Sequence, residues 1–329
     1  MSGELVSTTG QRGVPAQLTQ LADRAKDYIR EGVSSNTRRA YRGDWSHFSA
    51  WCEGQGLVPM PAAPETVVLY LTAHADGADG CRALSVGTLQ RRLASLAVAH
   101  KVAGHEDPTK AAAVALAWRG IRRAKGVAPR GKAPALVQDV RRMIDALPEG
   151  ILGTRDRALL LVGFAGAFRR SELVGLDRGD VEVTKDGAVV TVRRSKTDQE
   201  GEGRKVGIPY GSNPDTCPVR ALAAWVEVAA IKDGPIFRPV NRYGQVLAGR
   251  LSGYAVALVV KRYAAQVGLD ASRYAGHSLR AGLATSAADA GASERSIMAQ
   301  TGHRSVGMVR RYIRDGRLFR DNAAAVVGL

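Results

Sequence analysis

Five short motifs that combine arginine, histidine, lysine and tyrosine follow one another in the second half of the 329-residue chain. They lie at 164–173 (FAGAFRRSEL), 195–198 (SKTD), 276–282 (GHSLRAG), 301–303 (TGH) and 310–314 (RRYIR). The sequence lacks the clustered carboxylates of a metal-dependent nuclease and the phosphate-binding loop G-x-x-x-x-G-K-S/T. Any phosphate chemistry in this chain is therefore expected to use cationic side chains.

The order of these motifs resembles that of the tyrosine recombinase (phage integrase) family. The segments 60–73 and 119–125 and the last fifty residues resemble its Cre-like branch. Each motif alone is weakly specific, whereas five in this order are strongly specific. Matched position by position, the resemblance implies a first catalytic arginine, its supporting carboxylate, a hairpin lysine, a second box of histidine and arginine, a third-box histidine and a nucleophile. These are, in that order, Arg169, Glu172, Lys196, His277 with Arg280, His303 and Tyr312.

The residue types suit attack of a tyrosine on a phosphodiester. A phenolate that attacks phosphorus builds a phosphorane with extra negative charge, and the guanidinium groups of Arg169 and Arg280 can each bind its non-bridging oxygens with two hydrogen bonds. Tyr312 has a reference pKa near 10, so its deprotonation must be assisted by the surrounding positive charge or coupled to attack. Because Arg169 and Arg280 take the place of metal ions, and because the covalent 3′-phosphotyrosyl intermediate conserves the bond energy so that no ATP is needed, we expect no cofactor.

The remaining assigned residues have supporting roles in this chemistry. His277 and Arg280 are spaced i, i+3 near the start of a predicted helix and can reach the same phosphate. His303 can donate a hydrogen bond to a non-bridging oxygen. Lys196, on a predicted hairpin, can deliver a proton to the departing 5′ oxygen.

Three of the assignments have rivals in the sequence. Arg170 adjoins Arg169, and many family members have Gly-Leu-Arg where this chain has Ala-Phe-Arg. Lys205 and Lys185 also lie on or beside the predicted hairpin. The nearest alternatives to the predicted nucleophile are Tyr274 and Tyr263.

The composition indicates a polyanionic partner. Lys and Arg number 47 against 31 Asp and Glu, which gives a net charge of +16 and an isoelectric point near 10.2. Nucleic acid is the first candidate.

No window approaches 18 uninterrupted apolar residues and no signal peptide is recognised, so we expect a cytoplasmic protein that is nucleoid-associated when bound to DNA. Cys52, Cys81 and Cys217 form no C-x-x-C pair and are expected to be reduced thiols.

The periodicity of apolar residues predicts a mainly α protein with two domains. After a flexible N-terminus (1–14), residues 15–126 form an all-helical bundle with helices near 15–31, 36–54, 64–76, 85–103 and 108–125. A basic linker (127–134) precedes an α+β catalytic domain (135–329). Its three-stranded antiparallel sheet is predicted from segments at 181–183, 188–193 and 204–209, and its helices lie near 135–147, 154–165, 216–231, 250–267, 277–290, 293–301 and 305–314.

The basic residues are spread over both domains, as a clamp around a duplex requires. Glutamine suits adenine and arginine suits guanine in the major groove, although most contacts in a complex go to phosphates. The predicted DNA contacts are Arg38, Arg39, Arg42, Gln90, Arg91, Arg92, Arg119, Arg122, Arg123, Lys125, Tyr254, Lys261 and Arg262.

The segment 318–329 carries an apolar run too short to form a stable helix by itself. In the Cre-like branch the last helix docks on the next protomer of a ring, so the resemblance implies a homotetramer on two DNA sites. Packing of this tail against its own domain is the alternative.

The resemblance implies a site-specific recombinase that cuts and rejoins duplex DNA through a Holliday junction, in DNA recombination or integration. A type IB topoisomerase uses a similar residue set, and relaxation of a plasmid without a target site would favour it. A DNA-binding regulator that merely retains the fold is the third possibility, although such a protein has no use for Tyr312 beside a phosphate.

We predict that Arg122 and Arg123 contact phosphates. Each neutralised phosphate contributes about −0.9 to the slope of log affinity against log salt, so replacing both arginines with alanine should reduce the slope by about 1.8. Affinity for duplex DNA measured at several salt concentrations tests this. An unchanged slope would show that these arginines do not contact the backbone.

Overall fold

The computed structural model describes residues 16–78, 80–127, 131–193, 203–303, 305–316 and 327. The chain divides after Arg130 into an N-terminal unit (residues 1–130) and a C-terminal unit (residues 131–329). None of the helices among the described residues is long and apolar enough to cross a membrane.

The N-terminal unit is all-helical in its described part. Ser34 and Ser85 accept hydrogen bonds from the amides of Thr37 and Thr88, which fixes where the second and fourth helices begin. The core of this unit centres on the fully buried Tyr70. The helices are α1 (Ala16–Glu31), α2 (Ser35–Gly54), α3 (Pro64–Asp76), α4 (Val86–Val102) and α5 (Ala112–Lys125).

The C-terminal unit packs helices around a small antiparallel sheet with strand order β1-β2-β3. Val181 pairs with Val190, and Val190 pairs with Val206, so alternate residues of the strands face the core. The strands are β1 (Val181–Thr184), β2 (Gly187–Val192) and β3 (Arg204–Pro209). The helices are α6 (Val137–Asp145), α7 (Ile151–Ala165), α8 (Arg170–Gly175), α9 (Pro218–Val228), α10 (Gly253–Gln266), α11 (His277–Asp289), α12 (Glu294–Thr301) and α13 (Val306–Gly316).

Helix α7 is the central element of the C-terminal unit, and its residues 158–163 are all buried. The fully buried carboxylate of Asp156 on this helix is satisfied, because Arg155 pairs with it at 2.6 Å and the Tyr263 hydroxyl donates to it at 2.8 Å. Trp225 on α9 donates its indole N–H to the Ile236 carbonyl at 2.8 Å. Each of these buried polar side chains is therefore paired.

The fold class predicted from the sequence, mainly α with one three-stranded antiparallel sheet, is confirmed. The short helix α8 was not predicted, because six residues do not display a helical period. It begins where the backbone N–H of Arg169 donates to the Glu172 side chain at 3.0 Å. A side chain of the functional motif therefore starts this helix.

A glycine of the third motif, 276–282, allows two segments to pack closely. The Ala135 amide donates to the Ser278 carbonyl at 2.9 Å, which brings the start of the C-terminal unit against α11. A Cβ atom on Gly282 would lie 1.7 Å from the Ala135 carbonyl oxygen. Because the contact is with backbone atoms, it can be relieved only by moving the Ala135 segment or α11, which carries Arg280.

We predict that Gly282→Ala destabilises the protein by about 1–3 kcal/mol through this overpacking. Gly43→Ala, on α2, is the matched control, because a Cβ there meets no atom within 4 Å. A helical glycine replaced by alanine without a clash gains up to about 1 kcal/mol. Thermal unfolding followed by circular dichroism compares the two, and equal melting temperatures would contradict the prediction.

Candidate active site

Five of the predicted catalytic residues lie together in the C-terminal unit. Their positions come from four separate elements: the residue before α8, the start of α11, the turn after α12, and α13. The residues are Arg169, His277, Arg280, His303 and Tyr312. Segments more than a hundred residues apart in sequence therefore contribute to one site.

Arg280 is held in the centre of this cluster. Its side chain is almost fully buried (1 % exposed), one guanidinium nitrogen donates to the Ala167 carbonyl at 2.8 Å, and the other lies 3.2 Å from Nε2 of His303. Burial and the nearby positive charge of Arg169 lower the pKa of Arg280 to about 10. The guanidinium is thus still charged at neutral pH and is held in position before any substrate binds.

The carbonyl that holds Arg280 belongs to a residue in an unusual conformation. Ala167 has a φ of +48°, in the left-handed region that costs a residue with a Cβ about 1 kcal/mol or more. This is the position at which many members of the family that the sequence resembles have glycine. Glycine adopts this positive φ without a Cβ penalty, whereas the alanine of this chain is strained there.

His303 is oriented by a chain of hydrogen bonds. Its Nδ1 lies 2.7 Å from the Thr301 hydroxyl, which donates to the Ile297 carbonyl at 2.7 Å. Thr301 therefore accepts from Nδ1–H, and Nε2 accepts from Arg280. Burial, with the charges of Arg280 and Arg169, lowers the pKa of His303 to about 4, so the ring is neutral at neutral pH.

His277 and Tyr312 are in direct contact, with 3.0 Å between Nε2 of the imidazole and the phenol oxygen. Loss of surrounding water, followed by the charges of Arg280 and Arg169, lowers the pKa of His277 below its usual 6.5. A neutral imidazole at this distance can accept the phenol proton. The nucleophile assigned from the sequence thus has a base beside it.

Glu172 is the carboxylate that holds the cations of the site. Its buried side chain lies 2.5 Å from Nη1 of Arg169 and 3.3 Å from Nη2 of Arg204. One negative charge serves two guanidinium groups, and Arg280 adds a third. The site therefore has an excess of positive charge that suits a phosphate. Among the described residues no group of three His, Cys, Asp or Glu side chains is arranged to hold a metal ion.

Arg204, on β3, was not among the residues predicted from the sequence. It also donates to the Gln300 carbonyl at 3.1 Å, and it packs so closely on Gly302 that a Cβ there would lie 2.7 Å from its Nε. Gly302 has a φ of +64°, so the glycine between Thr301 and His303 is required both by conformation and by this contact. The two-residue alternation of β3, which places Arg204 on the same face as the buried Val206, is the signal that would have found it.

The structure places the rivals to these assignments in several different environments. Arg170 is exposed and its side chain lies against Gly253 and Gly276. Tyr263 is buried against Asp156, and Tyr274 is buried with its pKa raised by burial and by Asp139. Lys185 and Lys205 are exposed, whereas Lys196 lies outside the described residues, as does most of the segment 318–329.

Most of the predicted DNA contacts are accessible in the structure. Exposed residues are Arg39, Arg42, Gln90, Arg91, Arg119, Arg122, Arg123, Lys125, Tyr254 and Arg262, while Arg38 and Lys261 are half-buried. Lys125 pairs with Asp76 at 2.9 Å, and Arg38 donates to the Val33 carbonyl at 2.7 Å.

Arg92 requires a correction. It is only 8 % exposed, and its guanidinium donates to the Tyr70 hydroxyl and lies 2.9 Å from Nδ1 of His47. The prediction that it contacts DNA is wrong, because its side chain turns into the helical core. Neighbouring residues of a helix point about 100° apart, so Arg91 can face solvent while Arg92 faces the core.

Known proteins resemble this chain over most of its length. The model of the phage integrase family matches residues 136–317. The integrase/recombinase xerD homolog of Selenomonas ruminantium is 42% identical over 308 residues, which cover 92% of this chain and 89% of that protein. The recombinase cre of Escherichia phage P1 is 26% identical over 309 residues, covering 87% of this chain and 86% of that protein.

Solved structures share the fold. A lambda integrase (75–356) dimer bound to a COC' core site superposes with a TM-score of 0.59 at 17% identity, covering 91% of this chain and 95% of that one. The XerH site-specific recombinase bound to palindromic difH substrate has a TM-score of 0.58 at 16% identity, covering 81% of this chain and 73% of that one.

We predict that His303 in the protein without DNA titrates near pH 4 and not near the ordinary 6.5, because protonation would add a charge beside Arg280 and Arg169. Histidine ring resonances followed by NMR from pH 3 to pH 8 measure this, and His303→Gln identifies the signal. A midpoint near 6.5 would show that the ring is solvated and not held by Arg280.

Proposed function

The chain belongs to the phage integrase family of tyrosine recombinases, and from this membership and the geometry of its site we propose that it cleaves and rejoins specific duplex DNA sites through a 3′-phosphotyrosyl intermediate. The observation that carries the proposal is the contact of the Tyr312 hydroxyl with a neutral His277, at the edge of a cluster of buried arginines. This is the arrangement that a tyrosine nucleophile acting on a phosphate requires.

The arginines stabilise the charge that develops during attack. Arg280 is held by the Ala167 carbonyl and Arg169 by Glu172 before DNA arrives, so little reorganisation is needed when the phosphorane forms. Both are guanidinium groups that can bind two oxygens of one phosphate. They supply the positive charge for transition-state stabilisation.

The chemical step begins with the proton of Tyr312 passing to Nε2 of His277. A bond forms between the tyrosine oxygen and phosphorus, and the bond from phosphorus to the 5′ oxygen breaks. The departing 5′ oxygen takes a proton, and we propose that Lys196 donates it. In the reverse direction the 5′ hydroxyl of the partner DNA gives its proton back to Lys196 and attacks phosphorus, the bond between phosphorus and the tyrosine oxygen breaks, and His277 returns its proton to Tyr312. The number of phosphoester bonds is conserved, so no nucleotide is consumed.

His303 changes its hydrogen bonding when phosphate binds. In the free site its Nε2 accepts from Arg280 and therefore cannot donate. A bound phosphate adds negative charge, which favours the protonated imidazole and raises its pKa. The protonated ring then donates from Nε2 to a non-bridging oxygen while Nδ1 keeps its bond to Thr301.

The partner that we propose is double-stranded DNA. The net charge of +16 and the exposed basic residues of both units support it, as do solved relatives whose structures were determined with DNA. Two-site recombination requires four active sites, so we propose a homotetramer that passes through a Holliday junction, with the segment 318–329 docking on the neighbouring protomer. We include in the same proposal the division of the chain into a DNA-binding bundle (15–126), a linker (127–134) and a catalytic domain (135–329).

The two rival functions make different demands on the site. A regulator has no need for a base beside Tyr312, whereas the contact with His277 is present. A topoisomerase shares the chemistry of cleavage but acts without a paired site. Plasmids with and without a selected binding site separate relaxation from recombination.

We predict that Tyr312→Phe abolishes covalent attachment to DNA while leaving affinity within about twofold. The substitution removes only the attacking oxygen, and binding depends on phosphate and groove contacts elsewhere. A nicked suicide duplex traps the adduct, which a denaturing gel displays and peptide mapping locates.

Tyr274→Phe is the matched control and should form the adduct at the parental rate, because this hydroxyl does not adjoin His277. An adduct that persists in Tyr312→Phe would move the nucleophile to another residue. A parent protein that binds a specific site but never forms an adduct would favour the regulator.

A further inference from the structure

An exposed arginine of the N-terminal unit is held by a buried carboxylate from a different helix. Nε of Arg91, on α4, donates to one oxygen of Asp44 at 2.8 Å, and Nη2 donates to the other at 2.8 Å. Asp44 lies on α2. The Arg91 side chain is 49% exposed, whereas that of Asp44 is 4% exposed. The guanidinium of Arg91 is therefore presented at the surface, while its orientation is set by the buried carboxylate of Asp44.

The carboxylate of Asp44 is also contacted from the core side of the unit. Nε of Arg92 lies 3.8 Å from Asp44, and the Arg92 guanidinium is bound by the Tyr70 hydroxyl and by His47. Tyr70 is fully buried in the core of the unit. A continuous set of contacts therefore runs from the core to Arg91 and fixes the plane of its guanidinium.

The contact with Asp44 uses one edge of the guanidinium and leaves a second edge facing away from the carboxylate. Nε–H and one N–H of Nη2 face the carboxylate, so the outer edge formed by Nη1 and the second N–H of Nη2 has two parallel donors. This outer edge matches the O6 and N7 acceptors of guanine in the major groove. A free arginine would lose side-chain entropy on binding, but here the side chain is already ordered.

We propose that Arg91 recognises a guanine in the target site and that Asp44 is the residue that positions it. The inference rests on the proposed DNA-binding function and goes beyond it, because it names one base and the side chain that specifies it. It also separates Arg91 from the exposed arginines Arg39 and Arg42 of the same unit, to which no carboxylate is bound within the described residues.

The carboxylate is the reason to choose a base and not a phosphate. Asp44 places a negative charge next to Arg91, which cancels much of the attraction for a phosphate and repels it at close range. A base edge has no net charge, so the carboxylate weakens that contact less than a phosphate contact and also orients the guanidinium. At the catalytic site three guanidinium groups surround the single carboxylate of Glu172 and leave an excess of positive charge for a phosphate, whereas Arg91 is an exposed guanidinium with which Asp44 pairs.

Selection of binding sites from a randomised duplex pool by the full-length protein tests the proposal. The parent is expected to enrich a site with guanine at one fixed position. Arg91→Ala should lose about tenfold to hundredfold of the preference for that guanine, with little change in affinity for a site in which the base pair is already replaced. Asp44→Asn should lose several-fold at the same position.

Two further variants control for stability and for general charge. Arg91→Lys keeps the charge and the exposed position but lacks the planar fork, so it should lose the guanine preference as Arg91→Ala does. Arg39→Ala should weaken binding to all sequences alike and leave the preference unchanged. Melting curves by circular dichroism show whether Asp44→Asn is folded, and the surface variants of Arg91 decide the question if it is not.

The outcomes separate this inference from the function on which it rests. A parent that enriches no sequence at all would overturn the proposed recombinase function and this inference with it. A parent that enriches a site, together with an Arg91→Ala variant that enriches the same bases at every position, would overturn the inference alone and reduce Arg91 to an ion-pair partner of Asp44.

Discussion

The structure around the active site follows from the need to keep three guanidinium groups close together in the absence of substrate. Arg169 and Arg204 share the single carboxylate of Glu172, and Arg280 is held by a backbone carbonyl. Like charges repel at these distances, and burial adds a cost for each that is not fully paired. The strained φ of Ala167 and the glycine at 302 are both local consequences, since each allows a guanidinium to be bound at close range.

The same excess of positive charge sets the protonation of the histidines. His277 and His303 both have pKa values below the ordinary value, because burial and the arginines oppose a further positive charge. A neutral His277 is the form that can take a proton from Tyr312. In the proposed mechanism a bound phosphate adds negative charge beside His303 and so raises the pKa of its ring.

The two units handle charge in a related way. In each, one buried carboxylate lies beside two arginines: Glu172 pairs with Arg169 and Arg204, and Asp44 pairs with Arg91 while lying near Arg92. Arg92 is buried and Arg91 is half exposed, whereas Arg169 and Arg204 are similarly exposed, at 17% and 20%. A carboxylate in this position removes the conformational freedom of an arginine without neutralising the region as a whole.

What the sequence alone determined is the part that depends on local pattern. Apolar periodicity and two-residue alternation predicted the helices α1–α5 and the three strands to within a few residues, because each such element must bury one face. The order of the motifs identified the family and named Arg169, Glu172, His277, Arg280, His303 and Tyr312, which the structure brings to one place. Lys196 and the tail 318–329 stay predictions that rest on the resemblance.

The tertiary structure decided which charged side chains turn inward. Arg91 and Arg92 are identical residues one position apart, yet one is exposed and the other is buried against Tyr70, because a helix turns by 100° between neighbours. Arg204 entered the site and Arg170 stayed outside it for reasons of packing between α8, β3 and α12. Burial of a charge depends on partners supplied by distant segments, and a local sequence pattern contains no information about those partners.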